Sequence, residues 1–316
     1  MDGTDIAGAA PVLAVDLGGT NARVALVNVD GTIVTRRTDP TRREEMHPDA
    51  LVAAIRETTA GTDAASAVVG VPGRVDHANG RLEFAPNLPS HWAAHLTEER
   101  LSDAVGIRVR LANDADLAAV GEYRFGAGRG TSDMVYLTLS TGVGTGVILG
   151  GELVHGRRSL AEAGHTILAR DSAFPTFEQQ ASGTALSRLA AEAGLAERGG
   201  DLVKRVSAGD RGAAAAWWEL CQAAGAGVAS LAHLFSPEVV VIGGGLGLTG
   251  DLLYEPLRAA LLAYGPRELP EPIRIVRAEL GDDAGLSGAA GWVSTFRPYA
   301  MPAMTYAGDR QEEIVT

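Results

Sequence analysis

Twice in this chain, two runs of strand-forming residues are joined by a turn almost bare of side chains: DLGGTN at 16–21 and LSTGVGTG at 139–146. Each turn is followed by another strand pattern, ARVALVNV (22–29) after the first and the remainder of MVYLTLSTGVGTGVILGGELV (134–154) after the second. That property separates nucleotide-binding schemes. A P-loop needs GxxxxGK[ST] running into a helix, and the chain has no such run; a Rossmann turn also needs a helix after its glycines. What remains is a pair of β-hairpins with bare tips, whose backbone N–H groups can approach a phosphate closely. The competing reading, a tight Gly-Gly hairpin with no ligand, is adequate for one such turn. Two of them, one in each expected lobe and each flanked by threonine, favour a ligand.

The rest of the chain alternates strand and helix signals, so the expected fold class is α/β. VLAVDL (12–17) and AVVGV (67–71) read as strands, with a helical pattern at DALVAAIRETTA (49–60) between them. IRVRLAND (107–114) leads into a helix through DLAAVGEYRFG, and an Ala-rich helical region runs from Ala181 to about His233. The strand EVVVIG, a glycine run, the helix DLLYEPLRAALLAY and a last strand IRIVRAEL follow. With 316 residues, 46% of them hydrophobic, two lobes are expected. A small N-terminal lobe is placed at 11–112, a larger lobe at 113–300 whose last helix is a candidate to fold back on the first, and a tail at 301–316.

A net charge of −12 argues against nucleic acid or an anionic membrane as the main partner, because both need a concentrated basic patch. Cys221 is the one cysteine and cannot form an internal disulfide, and no signal-peptide pattern is present, which points to the cytoplasm. The longest apolar runs, such as VVVIGGGLGL from Val239, are too short to span a bilayer.

DLGGT, LSTGVGTG and VIGGGL, in this order and spacing, resemble the two phosphate segments and the adenosine segment of the ROK family of sugar kinases and repressors. LANDADLAAVGEYRFGAGRG, AEAGH and FEQQASGTAL extend the resemblance over roughly residues 11 to 290. It implies a two-lobed actin-like ATPase (ribonuclease H-like) fold with a cleft between the lobes, and an ATP- and Mg²⁺-dependent sugar kinase. Phosphoryl transfer needs one carboxylate to take the hydroxyl proton, and Asp114 is that candidate. It stands where a strand ends and a helix begins, so the helix N-terminus is expected to keep it ionised. An ordinary N-cap role for Asn113 and Asp114 is the alternative. Asp116, two positions along the helix, faces elsewhere.

By the same resemblance Asp16 helps hold Mg²⁺ through water, Gly18, Gly19, Thr20, Asn21, Thr141, Gly142 and Gly144 line the phosphates, and Gly244 and Gly245 let adenosine lie against backbone. Asn113, Asp114, Glu162, His165 and Glu178 hold the sugar hydroxyls, with Gly73, Arg74 and Asn87 as further pocket positions. The partners implied are the sugar and ATP, and a homodimer is expected.

One segment departs from the family. Most members carry a cysteine cluster between the histidine and the last glutamate, which binds a structural zinc with that histidine; here the segment reads HTILARDSAFPTFE. No tetrahedral zinc site can be assembled from those residues, so no zinc is expected. Phe174, Pro175 and Phe177 are the apolar groups available to support the loop instead.

Other readings are weaker. GLGLTG from Gly245 matches GxGxxG after a strand, but the acidic residue a dinucleotide site needs further on is not clear. Glu162 and His165 form an ExxH pair without the second ExxH of a di-iron site. A sugar-responsive repressor would place a helix-turn-helix ahead of the first hairpin, where about ten residues stand. The expected acceptor is the primary 6-hydroxyl of a glucose-like sugar, with an amino sugar (kanosamine or N-acetylmannosamine) or a cyclitol as alternative, and polyphosphate as a possible donor in place of ATP.

Overall fold

A computed structural model describes residues 10–18, 21–40, 48–85, 88–159, 162–195 and 199–295. The first bare turn closes a hairpin, as its pattern predicts. β1 (Val12–Leu17) runs antiparallel to β2 (Asn21–Val27), in register from Val12 opposite Val27 to Leu17 opposite Ala22. β3 (Ile33–Pro40) adds to the outer edge of β2 and was not legible in the sequence. Its residues IVTRRTDP include two arginines and are mostly exposed, the usual protection of an edge strand against pairing with another chain.

After α1 (Pro48–Thr59), β4 (Ser66–Val71) lies parallel to β1. β5 (Arg74–Asp76) and β6 (Arg81–Phe84) form a separate small hairpin, and α2 (Glu98–Val105) leads to β7 (Arg108–Asn113), parallel to β4. The first sheet therefore has the order β3-β2-β1-β4-β7.

α3 (Asp114–Phe125) crosses to a second sheet of the same design. β8 (Met134–Leu139) and β9 (Val143–Leu149) make its hairpin, with β10 (Glu152–Leu153) on the outer edge. A helical stretch follows: α4 (Phe177–Ala181), α5 (Gly183–Glu192), α6 (Gly199–Ser207) and the long α7 (Arg211–Phe235). β11 (Val239–Gly243) pairs parallel to β8, and after α8 (Asp251–Tyr264) β12 (Arg274–Arg277) pairs parallel to β11. The order is β10-β9-β8-β11-β12, and α9 (Ala284–Thr295) ends the described chain. Each sheet is a hairpin widened by two parallel strands. β11 is buried along its whole length, which is why VVVIG shows no polar alternation.

α3 and α9 share a buried cluster with both sheets: Val12 and Ala14 from the first, Met134 and Tyr136 from the second, Trp292 from α9. The two helices cross at near contact. A Cβ on Gly121 would sit 2.1 Å from the Ala284 carbonyl oxygen, and one on Gly288 1.9 Å from that of Leu117. Only glycine permits that approach. The pair thus forms the floor on which the hairpins of both sheets converge. Among the described residues no helix is long and apolar enough to cross a membrane.

Candidate active site

The first turn of α3 sets the centre of the site. Asn113 ends β7 and caps the helix: its Oδ1 accepts from the N–H groups of Ala115 (2.9 Å) and Asp116 (3.1 Å), while its Nδ2 donates to the Gly73 carbonyl at 2.9 Å. The cap role and a position beside Asp114 are thus both true of Asn113. Asp114 Oδ1 accepts from the Ala115 N–H at 2.8 Å. Its carboxyl is nevertheless pushed up to about 7, first by burial and then by the charge of Asp16, with Glu162 adding to the rise. This corrects the expectation that the helix N-terminus keeps Asp114 ionised. Burial and two neighbouring carboxylates outweigh the helix end and the backbone hydrogen bond. Asp116 lies in the interior, fully buried, with both oxygens lacking a hydrogen-bond partner, and burial raises its proton affinity further.

Asp16 lies one residue before the end of β1 and borders the same cavity as Asp114. Its Oδ2 accepts from Arg23 Nη1 at 2.8 Å, the two residues being directly opposite in the hairpin register. Burial raises its proton affinity, and Arg23 offsets part of the rise. Gly18 closes the tip through its N–H to the Asn21 carbonyl at 3.0 Å. Gly19, Thr20 and Asn87 lie outside the described residues.

The second hairpin is held from behind. Glu178, in the first turn of α4, accepts from the Val143 N–H at 2.9 Å, and a Cβ on Gly142 would come within 2.5 Å of the same carboxylate oxygen. The Gly183 N–H donates to the Ser140 carbonyl at 2.6 Å, and Thr184 Oγ1 to that of Thr141 at 2.7 Å. Thr141 itself is exposed at the tip. Gly144 leaves room for α3, since a Cβ there would meet Ala115 Cβ at 3.0 Å.

Gly244 takes φ +78°, and a Cβ on it would strike the Leu139 carbonyl at 2.5 Å. Gly245 is different: a Cβ there would meet no protein atom within 4 Å. Nothing in the fold demands that Gly245 be bare. It borders two cavities that meet at Ser140 and Gly245. One, of about 600 Å³, lies between Thr141, Thr184, Gly199, Gly200 and Leu246. The other, of about 530 Å³, contains Asp16, Arg23, Asp114, Gly243, Gly244 and Asp282. The first has the size and mixed lining of a nucleoside site.

Glu162 and His165 share a single 3₁₀ turn, with His165 Nε2 3.8 Å from Glu162 Oε2, and both are exposed. Neither they nor Glu178 line the two cavities. Gly73 reaches Asn113, as described, whereas Arg74 pairs with Glu83 at 2.7 Å rather than with the centre of the site. Arg158 also holds Glu83, and the two guanidiniums bring that carboxyl down to about 2.

Among the described residues no group of three or more His, Cys, Asp or Glu is placed to hold a metal ion on its own. Cys221 is buried inside α7, and burial pushes its thiol up to about 12, so it fits the core and not a metal site. The segment that lacks the cysteines is held otherwise. Phe177 is 1% exposed, in the core of the second lobe, its ring filling the space that Gly227 leaves on α7. The Phe177 N–H donates to the Thr166 carbonyl at 2.9 Å and the Leu168 N–H to that of Pro175 at 2.9 Å, and Thr176 with Gln179 forms a capping box. Phe174 is half-buried, with the Arg188 guanidinium 3.7 Å from its ring centre.

Sequence reading missed Arg23, Ser140, Thr184 and Asp282 as residues of the site. For Arg23 a signal existed: an arginine seven residues after Asp16 on a hairpin with its tip at 18–21 must face that aspartate.

Comparison with known proteins identifies the family. The sequence model of the ROK family matches residues 12–295. The chain is 35% identical over 304 residues to the glucokinase of Thermotoga maritima, covering 88% of this chain and 96% of that one. It is 37% identical over 292 residues to the bifunctional enzyme NanE/NanK of Brucella melitensis, covering 90% of this chain but 54% of that protein. Among solved structures, a ROK family glucokinase from Streptomyces griseus in complex with glucose and AMPPNP superposes with a TM-score of 0.75 at 33% identity, over 89% of this chain and 98% of the other.

Proposed function

Because this chain belongs to the ROK family and is a sugar phosphotransferase with the two-lobed actin-like ATPase fold, we propose that it transfers the γ-phosphoryl group of ATP to the primary 6-hydroxyl of a glucose-like hexose. The observation that carries this reading is the meeting of Asp16, Asp114 and the bare turn Gly243–Gly245 around one cavity that continues into a nucleoside-sized one. Adenosine would lie against Gly245, and the phosphates would run toward the two hairpin tips, where Thr141 and Gly142 stand in the described one.

In the reaction the sugar hydroxyl oxygen forms a bond to the γ-phosphorus, its proton passes to a carboxylate oxygen of Asp114, and the bond from that phosphorus to the ADP oxygen breaks. Asp114 must be ionised to accept that proton. Asn113 would hold a neighbouring sugar hydroxyl while tied to Gly73. Glu162 and His165 would reach the ring from their shared turn, and Glu178 would link the sugar loop to the second hairpin through Val143. Mg²⁺ fits the same place on grounds of charge, since Asp16 and Asp114 border one cavity and burial with mutual repulsion raises the proton affinity of Asp114. Asp16 would hold the ion through water, and the ion would neutralise the β- and γ-phosphates.

A second acceptor has a specific observation behind it. The likeness to the Lmo2764 protein of Listeria monocytogenes, described as an N-acetylmannosamine kinase and superposing with a TM-score of 0.79 at 26% identity, supports an amino sugar such as N-acetylmannosamine. One ring substituent alters only one or two contacts, so the acceptor is decided by assay. ADP release measured over glucose, mannose, N-acetylmannosamine, kanosamine and a cyclitol should show the highest kcat/KM for glucose. A preference of more than tenfold for N-acetylmannosamine would replace the first reading with the second.

A further inference from the structure

The β5–β6 hairpin belongs to the chain before α3, and a segment of the chain after α3 is laid beside it. Residues 157–159 run antiparallel to β5, with Arg158 opposite Asp76. The His77 N–H donates to the Arg157 carbonyl and the Ser159 N–H to that of Val75, both at 3.0 Å. A two-stranded hairpin is marginal by itself, and this third segment extends it. Two consecutive arginines stand at the join. Successive side chains of an extended segment point to opposite faces, and the pair reaches two different carboxylates. Arg157 Nε is 3.9 Å from Asp76 Oδ1, whose side chain is 1% exposed. Arg158 Nε donates to both oxygens of Glu83, at 2.8 and 2.6 Å, and Arg74 Nε donates to the second of them at 2.7 Å.

The join lies between two parts of the candidate sugar pocket. Gly73, just ahead of β5, holds Asn113 through its carbonyl. Glu162 comes three positions after Ser159 and opens the turn it shares with His165. One side of that turn is packed on the second hairpin, where a Cβ on Gly164 would strike the Val143 carbonyl at 2.4 Å. Its N-terminal side leads back along the chain to the two arginines.

We propose that Arg158 is a positioning residue for the acceptor sugar: its bond to Glu83 latches the turn carrying Glu162 and His165 to the hairpin next to Gly73, and so sets the separation of the two groups of sugar-binding side chains. The inference rests on the reading of Asn113, Glu162 and His165 as sugar-binding residues. Groups that bind a ring of hydroxyls must be held to within about 0.5 Å, and the residues behind them do the holding. The Arg158 and Glu83 side chains are 44% and 22% exposed, and ion pairs open to solvent add little to overall stability. The latch therefore acts on the geometry of the pocket and hardly on the melting temperature.

The test uses the full chain and the variants Arg158→Ala, Arg158→Lys, Glu83→Gln and the double variant Glu83→Gln/Arg158→Ala. Steady-state kinetics on the best sugar are combined with thermal melting and with hydrogen exchange read by mass spectrometry. Arg158→Ala should raise the sugar KM about three- to tenfold, with kcat and the KM for ATP within about twofold and Tm within a few degrees, a split that general loosening of the fold would not produce. Lysine keeps the charge and should recover most of the lost affinity. Glu83→Gln should match or exceed the effect of Arg158→Ala, and the double variant should be no worse than Glu83→Gln alone, because both changes open one latch. Exchange should quicken in peptides covering 74–84 and 154–165 and stay unchanged over 134–149.

A sugar KM in Arg158→Ala that is unchanged or lower than wild type overturns the proposal, as do effects of the two single changes that multiply in the double variant. An equal loss in the sugar KM and the ATP KM assigns Arg158 to the fold alone and overturns it too. Should wild type phosphorylate none of the sugars tried, the acceptor reading is what fails; exchange then decides the latch, and unaltered exchange over 154–165 in Arg158→Ala refutes it.

Discussion

Replacing Asp114 with asparagine keeps the shape of the side chain and removes its charge, so it separates what the carboxylate does for the reaction from what it costs the fold. An asparagine oxygen can still accept from the Ala115 N–H and from a sugar hydroxyl, and sugar affinity should change by no more than a few-fold. It cannot take the hydroxyl proton, so kcat should fall by about 10² to 10⁴.

Stability should move the other way. Asp114 is raised from 3.8 to about 7, and at 1.36 kcal/mol per unit that sets a ceiling of about 4 kcal/mol on the cost of keeping it ionised in the fold. The residue is only partly buried and faces the solvated cleft, so about 1 to 2 kcal/mol is the realistic gain, or a few degrees in Tm for a chain of this size. The sign follows from the direction of the shift. Below 3.8 the group is protonated in both states and costs nothing; the cost grows as pH rises from there to about 7 and is complete above it. Asparagine should therefore raise Tm clearly at pH 8 and hardly at pH 4.5, in melts without Mg²⁺ or nucleotide. In the active wild-type enzyme, kcat/KM for the sugar should climb with pH as Asp114 loses its proton. An Asp114→Asn enzyme that keeps more than a tenth of wild-type kcat refutes its role as base, and an equal Tm gain at both pH values refutes the charge argument.

Phe177→Ala should cost about 3 to 5 kcal/mol, because the ring is 1% exposed and fills the space left by Gly227; with Glu178 next in the chain, sugar KM should rise before ATP KM, and an unaltered Tm with unaltered sugar KM would count against the ring as the anchor of the loop. Treatment with a strong chelator, followed by excess Mg²⁺, should leave activity and Tm unchanged, and stoichiometric zinc by metal analysis would contradict this. Gly245→Val should raise the KM for ATP at least tenfold with little change in Tm, since its side chain would enter the cavity and touch no protein atom at Cβ; unchanged nucleotide affinity by calorimetry would remove Gly245 from the nucleotide wall.

The sequence by itself determined the two hairpins, the parallel strands beside them and the start of α3. These depend on neighbours within a few residues: β-branched alternation, a bare turn, and an asparagine that can cap the helix following its strand. β3 escaped because an edge strand has no buried face to pattern it. Tertiary structure alone decided how the site behaves. The proton affinity of Asp114 is set by burial and by Asp16 and Glu162, which are distant along the chain. The Glu178 carboxylate points at the Val143 N–H, 35 positions away, and Phe177 finds its space at Gly227 on another helix. Arg23 stands between both levels: hairpin register places it opposite Asp16, but only the approach of α9 brings Asp282 to its second nitrogen. Local pattern chooses backbone shape because turns and caps are short-range; charge and burial belong to a cleft that exists only after distant segments have met.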